Sequence, residues 1–345
     1  MKNKKPSWLL KLFCSAICAV SCCVLFTYLV DLIGRSSNII TLSNAENDKD
    51  LSETGQQEPL LPDEGNKGGA ASIVPANNVP ESTVEMSVHF IDVGQGDATL
   101  VINGDYAMLI DAGIDDYGTR LQLYLQKQGI EKLDYLILTH TDADHIGAAD
   151  VIITKFPIDT VFMGDYPKNT VTYRDTLAAF NASGLSYMIP SAGSTYELGD
   201  AFFTFVNPGK EYDNSNDSSL CFFLQKGDNT FLFTGDAGMD VEEDILDAGW
   251  DLSADVYHVG HHGSRYSSCS TFLEAVSPTY AVISCGEDNE YGHPHAQTLN
   301  TLRKMGVKVF RTDEQGTIVA TTSGVEIKWN CAPSETWKAG EITSR

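Results

Sequence analysis

Short apolar runs separated by glycine-containing turns dominate the chain from Met86 onward. Beginning at Ser87, SVHFIDVGQGDATLVINGDYAMLIDAG holds three β-rich runs, and the Asn103-Gly104 dipeptide predicts a hairpin between the last two. Gly118 to Gln128, with Leu121, Leu123 and Leu125, predicts a helix, and LDYLILT from Leu133 to Thr139 predicts a buried strand. Helix over Ile146 to Phe156, strand over Ile158 to Met163, helix over Val171 to Phe180 and strand over Ser186 to Ile189 follow. The second half repeats this order. Hairpin strands lie within Tyr196 to Val206 and Ser219 to Phe233. Helices at Met239 to Ala248, Cys269 to Ala275 and Gln297 to Met305 then alternate with strands at Asp255 to Gly260 and Thr279 to Cys285, and Val307 to Arg311 and Thr317 to Ala320 close the chain. Two β-rich halves, each followed by helices, predict an α/β fold of αββα plan in one domain.

The N-terminal pattern is different. Leu12 to Val30 is an uncharged run of nineteen residues preceded by Lys2, Lys4, Lys5 and Lys11. At 1.5 Å per residue it makes about 28 Å of helix, near the hydrocarbon thickness of a bilayer. Lysines before the run and only Arg35 soon after it predict a cytoplasmic N-terminus and an exported remainder. A cleaved signal peptide, or a lipoprotein signal ending at Cys22, are the competing readings, and both also export the domain. Ser36 to Glu85, rich in Asn, Glu, Asp, Gly, Pro and Ser, reads as a disordered acidic linker. The expected organisation is anchor or signal 1–35, linker 36–85, catalytic domain 86–330 and tail 331–345.

Charge narrows the partners. From Met86 to the end there are 16 basic and 37 acidic residues, a net charge of −21, so a nonspecific grip on nucleic acid is disfavoured. Cys221, Cys269, Cys285 and Cys331 are isolated, without a CxxC pair, and predict no disulfide framework.

The candidate chemistry is a metal site. His140, Asp142, Asp144 and His145 fall within six residues, after a strand and at a helix start, and imidazole with carboxylate suits zinc or manganese. His261 and His262 follow one predicted strand and His293 and His295 another, so six of the eight histidines converge on one edge. Gly94, Gly96 and Asp97 shape a loop on that edge. His89 and His258 lie inside strand runs and read as structural.

The H-x-D-x-D-H run resembles the H-x-H-x-D-H signature of the metallo-β-lactamase superfamily, with Asp142 in place of its second His. FIDVGQGDATL, LIDAG, NDSSL, FTGD, VGHHGS and YGHPH extend the resemblance to the extracellular hydrolase domain of ComEC-type DNA-uptake proteins and their stand-alone relatives, over about Ser87 to Ile327. It implies two divalent ions, zinc or manganese. His140 and Asp142 would hold one and Asp144 and His145 the other, with Asp236 bridging. Asp111 would orient the metal loop without touching metal. His293 is implied as the last metal His, with His261 a further candidate ligand. No His is available at Asn216 to Ser219, where the family's third motif usually has one, which puts the first site in doubt.

Asp144, His262 and His295 are the candidate catalytic groups, either His being able to protonate a leaving oxygen. The expected function is a membrane-tethered extracellular hydrolase acting through a metal-bound hydroxide on a phosphodiester. A nuclease and an inactive binding protein are the alternatives.

Overall fold

A computed structural model describes residues 84–340. The expected anchor and nearly all of the acidic linker lie outside the described residues. Among those described, no helix is long and apolar enough to cross a membrane.

The first half builds β1 (Met86–Phe90), β2 (Thr99–Asn103), β3 (Tyr106–Ile110), α1 (Gly118–Lys127), β4 (Leu133–Leu138), α2 (Ala143–Ile146), α3 (Ala149–Lys155), β5 (Ile158–Met163), α4 (Val171–Ser183) and β6 (Tyr187–Met188). The second half builds β7 (Thr195–Leu198), β8 (Ala201–Phe205), β9 (Phe222–Lys226), β10 (Asn229–Phe233), α5 (Met239–Asp247), β11 (Val256–His258), α6 (Ser270–Val276), β12 (Tyr280–Ile283), α7 (Ala296–Met305), β13 (Lys308–Arg311), α8 (Thr312–Gln315), β14 (Ile318–Thr322) and β15 (Ile327–Trp329).

These strands form two sheets, ordered β15-β14-β1-β2-β3-β4-β5-β6 and β13-β12-β11-β10-β9-β8-β7. Val88, Phe90, Met108 and Ile137 of the first sheet meet Phe205, Phe222, Phe233 and Val282 of the second in one buried layer. Leu121, Leu125, Ile152 and Ile153 cover the outer face of the first sheet, and Val241, Ile245, Phe272 and Leu302 cover that of the second. The expected αββα layering is therefore the observed one, because each sheet buries both faces.

Three elements differ from the sequence reading. The helix expected over Ile146 to Phe156 begins at Ala143 and breaks after Ile146. At Gly147 the backbone lies so close to Asp115 N and Gly113 O that a Cβ would sit 2.4 and 2.6 Å from them. β15 was not expected. It pairs Ala320 with Trp329, whose ring stacks on Phe310 at 4.0 Å. Residues 331–340, read as tail, lie on the domain: Ser334 N donates to Val309 O at 2.7 Å and Gly340 N to Pro294 O at 3.0 Å.

The consequence for function is positional. β3, β4 and β5 run parallel in one sheet, and β10, β11 and β12 run parallel in the other. The loops leaving β4, β10, β11 and β12 carry His140 to His145, Asp236, His261 with His262, and His293.

Candidate metal centre

Three histidines are fixed by their Nδ1 atoms so that Nε2 faces inward. His145 Nδ1 donates to Asp111 Oδ2 at 2.8 Å, and His262 Nδ1 donates to the Ser284 carbonyl at 3.0 Å. Asp111 also accepts from Thr139 N and Thr139 Oγ1, both at 2.7 Å. With its proton given to Asp111, Thr139 Oγ1 is left to accept from His140 Nδ1 at 3.2 Å. Each ring thus keeps its lone pair on Nε2, the tautomer a metal ligand needs.

The inward atoms form a tight set. His145 Nε2 is 3.2 Å from Asp236 Oδ1 and 3.4 Å from His262 Nε2. His262 Nε2 is 3.3 Å from Asp144 Oδ2 and 3.6 Å from Asp236 Oδ2. An ion with bonds of about 2.1 Å in tetrahedral geometry separates its ligand atoms by roughly 3.4 Å, so His145, His262 and Asp236 fit one divalent ion, with Asp144 beside His262. On the other side of Asp236 Oδ2 lie His140 Nε2 at 3.8 Å and His261 Nε2 at 3.7 Å, with Asp142 Oδ1 3.9 Å from His140 Nε2. His140 Nε2 and Asp236 Oδ1 are buried without a hydrogen-bond partner, a costly arrangement that a cation relieves.

Electrostatics agree. Burial opposes protonation of His145, yet the Asp236 and Asp111 carboxylates hold its imidazole well above its ordinary range. Burial likewise opposes protonation of His262, and Asp236 and Asp97 reverse it. A pocket that draws protons onto buried imidazoles is short of positive charge. His140, by contrast, is lowered to about 4 by burial and by the neighbouring His145.

The backbone is bent to serve this set. His261 and His262 have φ of +52° and +54°, a region that costs a side-chain-bearing residue about 1–2 kcal/mol. Gly96 approaches the metal loop so closely that a Cβ would sit 2.3 Å from Asp144 O. That approach brings in Asp97, which the sequence reading treated only as a loop former. Asp97 Oδ1 lies 3.4 Å from His262 Nδ1 and 3.8 Å from His258 Nε2. It sits within 4.8 Å of the His145, Asp236 and His262 ligand atoms. Asp97 faces the Nδ1 side of His262 while Nε2 faces the other carboxylates, and its Oδ1 is buried without a hydrogen-bond partner.

The remaining candidates are placed as follows. Asp142 is turned to Lys168 Nζ and Ser215 Oγ, both of which donate to its Oδ1. Asn216 Nδ2 lies 3.4 Å from His261 Nε2. Asp217 accepts from Gly238 N at 2.9 Å, the part of a turn residue. His262, read from sequence as a catalytic group, lies among these inward atoms, and His293 Nδ1 is buried beside them without a hydrogen-bond partner. The His293 ring centre is 5.9 Å from that of His262 and 5.6 Å from that of His261. His295 Nδ1 accepts from Arg265 N at 3.0 Å, with Arg265 Nη2 3.0 Å from its Nε2. Lys168 and Ser215 gave no signal in sequence, since nothing marks a lysine as the partner of an aspartate 26 residues away.

Two packed sheets with imidazole and carboxylate groups converging at the ends of parallel strands define a metal-dependent hydrolase. The chain belongs to the Metallo-beta-lactamase superfamily, whose family model matches residues 91–287. It is similar to ComE operon protein 3 of Bacillus subtilis (strain 168), 31% identical over 256 residues that make up 68% of this chain and 33% of that protein. It is also similar to Competence protein ComA of Neisseria gonorrhoeae, 31% identical over 243 residues, 70% of this chain and 32% of that protein. The chain thus spans about a third of the length of these curated relatives. The solved metallo-beta-lactamase fold protein YhfI from Bacillus subtilis is 13% identical, with a TM-score of 0.48 over 70% of this chain and all of that one.

Proposed function

We propose that the chain is a phosphodiesterase using two divalent ions, zinc or manganese, held outside the cell by its N-terminal segment. The observation that carries the reading is the ligand chemistry: Asp142, Asp144 and Asp236 join His140, His145, His261 and His262, and three carboxylates in the set suit hard ions and phosphoryl oxygens. Bound there, such ions lower the pKa of water and offset the charge that builds up at phosphorus.

The chain's own residues supply the rest. Asp111 and the Ser284 carbonyl hold His145 and His262 in one tautomer. With His262 in the ligand set, His295 is the remaining candidate of the two for the leaving group. Partial burial and the neighbouring Arg265 hold its imidazole below its ordinary range. A neutral ring whose Nδ1 accepts from Arg265 N carries its one hydrogen on Nε2 and is a weak acid there. The mouth is a cleft of about 380 Å³ lined by Asn214, Asn216, Met239 and Tyr266, which admits a small diester.

Full chain loaded with zinc or manganese should hydrolyse an activated phosphodiester and leave a β-lactam and a lactone intact. Turnover of the β-lactam alone would reject this reading. Nuclease activity is the second reading, favoured by Arg265 at the mouth and by the competence proteins the chain resembles. Export rests on the uncharged run Leu12 to Val30 and its preceding lysines. Protease added to intact cells should release a fragment cut within Ser36 to Glu85, and a domain digested only after lysis would reject it.

A further inference from the structure

The two halves of the ligand set are unequal. In the half made by Asp144, His145, Asp236 and His262, the inward atoms face one another, and each histidine spends its other nitrogen on a carboxylate or carbonyl. In the half made by His140, Asp142, Asp236 and His261, the chain's own donors already occupy the ligands. Asp142 Oδ1 accepts from Lys168 Nζ and from Ser215 Oγ, and Asn216 Nδ2 is directed at His261 Nε2.

Asn216 to Ser219 stand where the family's third motif usually has a histidine, and Asn216, with Ser215 just before it, offers donors in place of a lone pair. An ammonium on a carboxylate is a charge-assisted bond, and it weakens the pull of Asp142 on any ion that takes it as a ligand. A cation taking Asp142 as a ligand would sit close to that ammonium, and like charges at such a spacing repel.

We infer that the Lys168 ammonium competes with the second metal ion for Asp142, so the resting protein holds one divalent ion firmly and a second only when Lys168 leaves that carboxylate. The inference rests on the reading of this cluster as a divalent-metal site and adds how its two positions are filled. Lys168 is one-quarter exposed, on the loop between β5 and α4, so it has room to move away.

The test reads binding and not turnover. Metal-free full-length chain is dialysed against manganese, and bound ion is counted by elemental analysis and by manganese spin resonance. Wild type should hold one ion per chain, with the signal of an isolated ion, and a second at least about tenfold more weakly. Lys168→Met should hold two, with the broadened signal of a coupled pair. Lys168→Gln, which keeps a donor but loses the charge, should show the same gain. Two ions bound equally tightly by wild type, or one ion bound by wild type and both variants alike, would overturn the inference. Neither result bears on the phosphodiester reading, which is judged by turnover alone.

Discussion

At the scale of single residues, the centre is organised by groups that never touch metal. Asp111 accepts from His145 Nδ1, Thr139 N and Thr139 Oγ1, fixing the ring and the start of the metal loop together. Its own φ of +56° is a conformation Asn tolerates, so Asp111→Asn should fold. The amide loses the charge that favours the Nδ1–H tautomer, and metal affinity should fall about 10–100-fold. Competition with a chelating dye measures this, and unchanged affinity would remove Asp111 from its orienting place. Asp236→Ala deletes the carboxylate shared by both halves and should abolish metal content altogether, as elemental analysis would show. His140, Asp142, Asp144 and His145 were legible because they are contiguous and follow a strand. Asp97, Lys168 and Ser215 were not, since each matters through a partner brought near by the fold. That His262 turns inward depended on the left-handed backbone at 261 and 262, which sequence spacing does not reveal.

At the scale of elements, periodicity fixed the two halves because each strand and helix buries an apolar face of its own. It failed where another backbone intervened, as at Gly147, or where the element was three residues long, as in β15. His89 tests one helix–sheet contact, where β1 meets α1. Its Nδ1 lies 2.8 Å from Tyr124 Oη and its Nε2 2.9 Å from Ser87 Oγ. Burial lowers its pKa from 6.5 to about 4, so the folded state refuses a proton that the unfolded chain accepts. The stability this contributes is present above pH 6.5 and is lost as pH falls toward 4, by on the order of 2 kcal/mol after allowance for partial exposure. Thermal melts of metal-free protein between these limits should show a shallower decline for His89→Gln than for wild type. Metal affinity at neutral pH should not change, since His89 has no place in the ligand set. Identical slopes would show that the imidazole is protonated at little cost in the fold.

At the scale of the whole molecule, ligand chemistry and charge point to different substrates, and their balance can be measured. Three carboxylates in the centre suit phosphoryl transfer on any diester. The 16 basic and 37 acidic residues from Met86 onward repel a long polyanion. Several of those bases are already engaged: Lys132 with Asp134 and Asp159, Lys210 with Asp244, and Arg311 with Asp313 and Glu314. Arg265 differs, because its neighbour is the His295 imidazole and its guanidinium lies 5.8 Å from the Tyr266 ring at the mouth. A single phosphate can be gripped there, whereas a strand must lay further phosphates across acidic surface. Small diesters should therefore be hydrolysed with little dependence on ionic strength, and single-stranded DNA poorly at physiological salt. Arg265→Ala should raise KM for a small diester about tenfold or less and lower kcat much less, as expected for loss of one partly exposed charge-assisted contact. Lowering the salt should help DNA cleavage only as far as that one contact allows, with a log–log slope near −1. Efficient cleavage of single-stranded DNA at physiological salt, with a slope of several units and no turnover of small diesters, would show that a continuous phosphate track exists despite the net charge and would establish the nuclease reading instead.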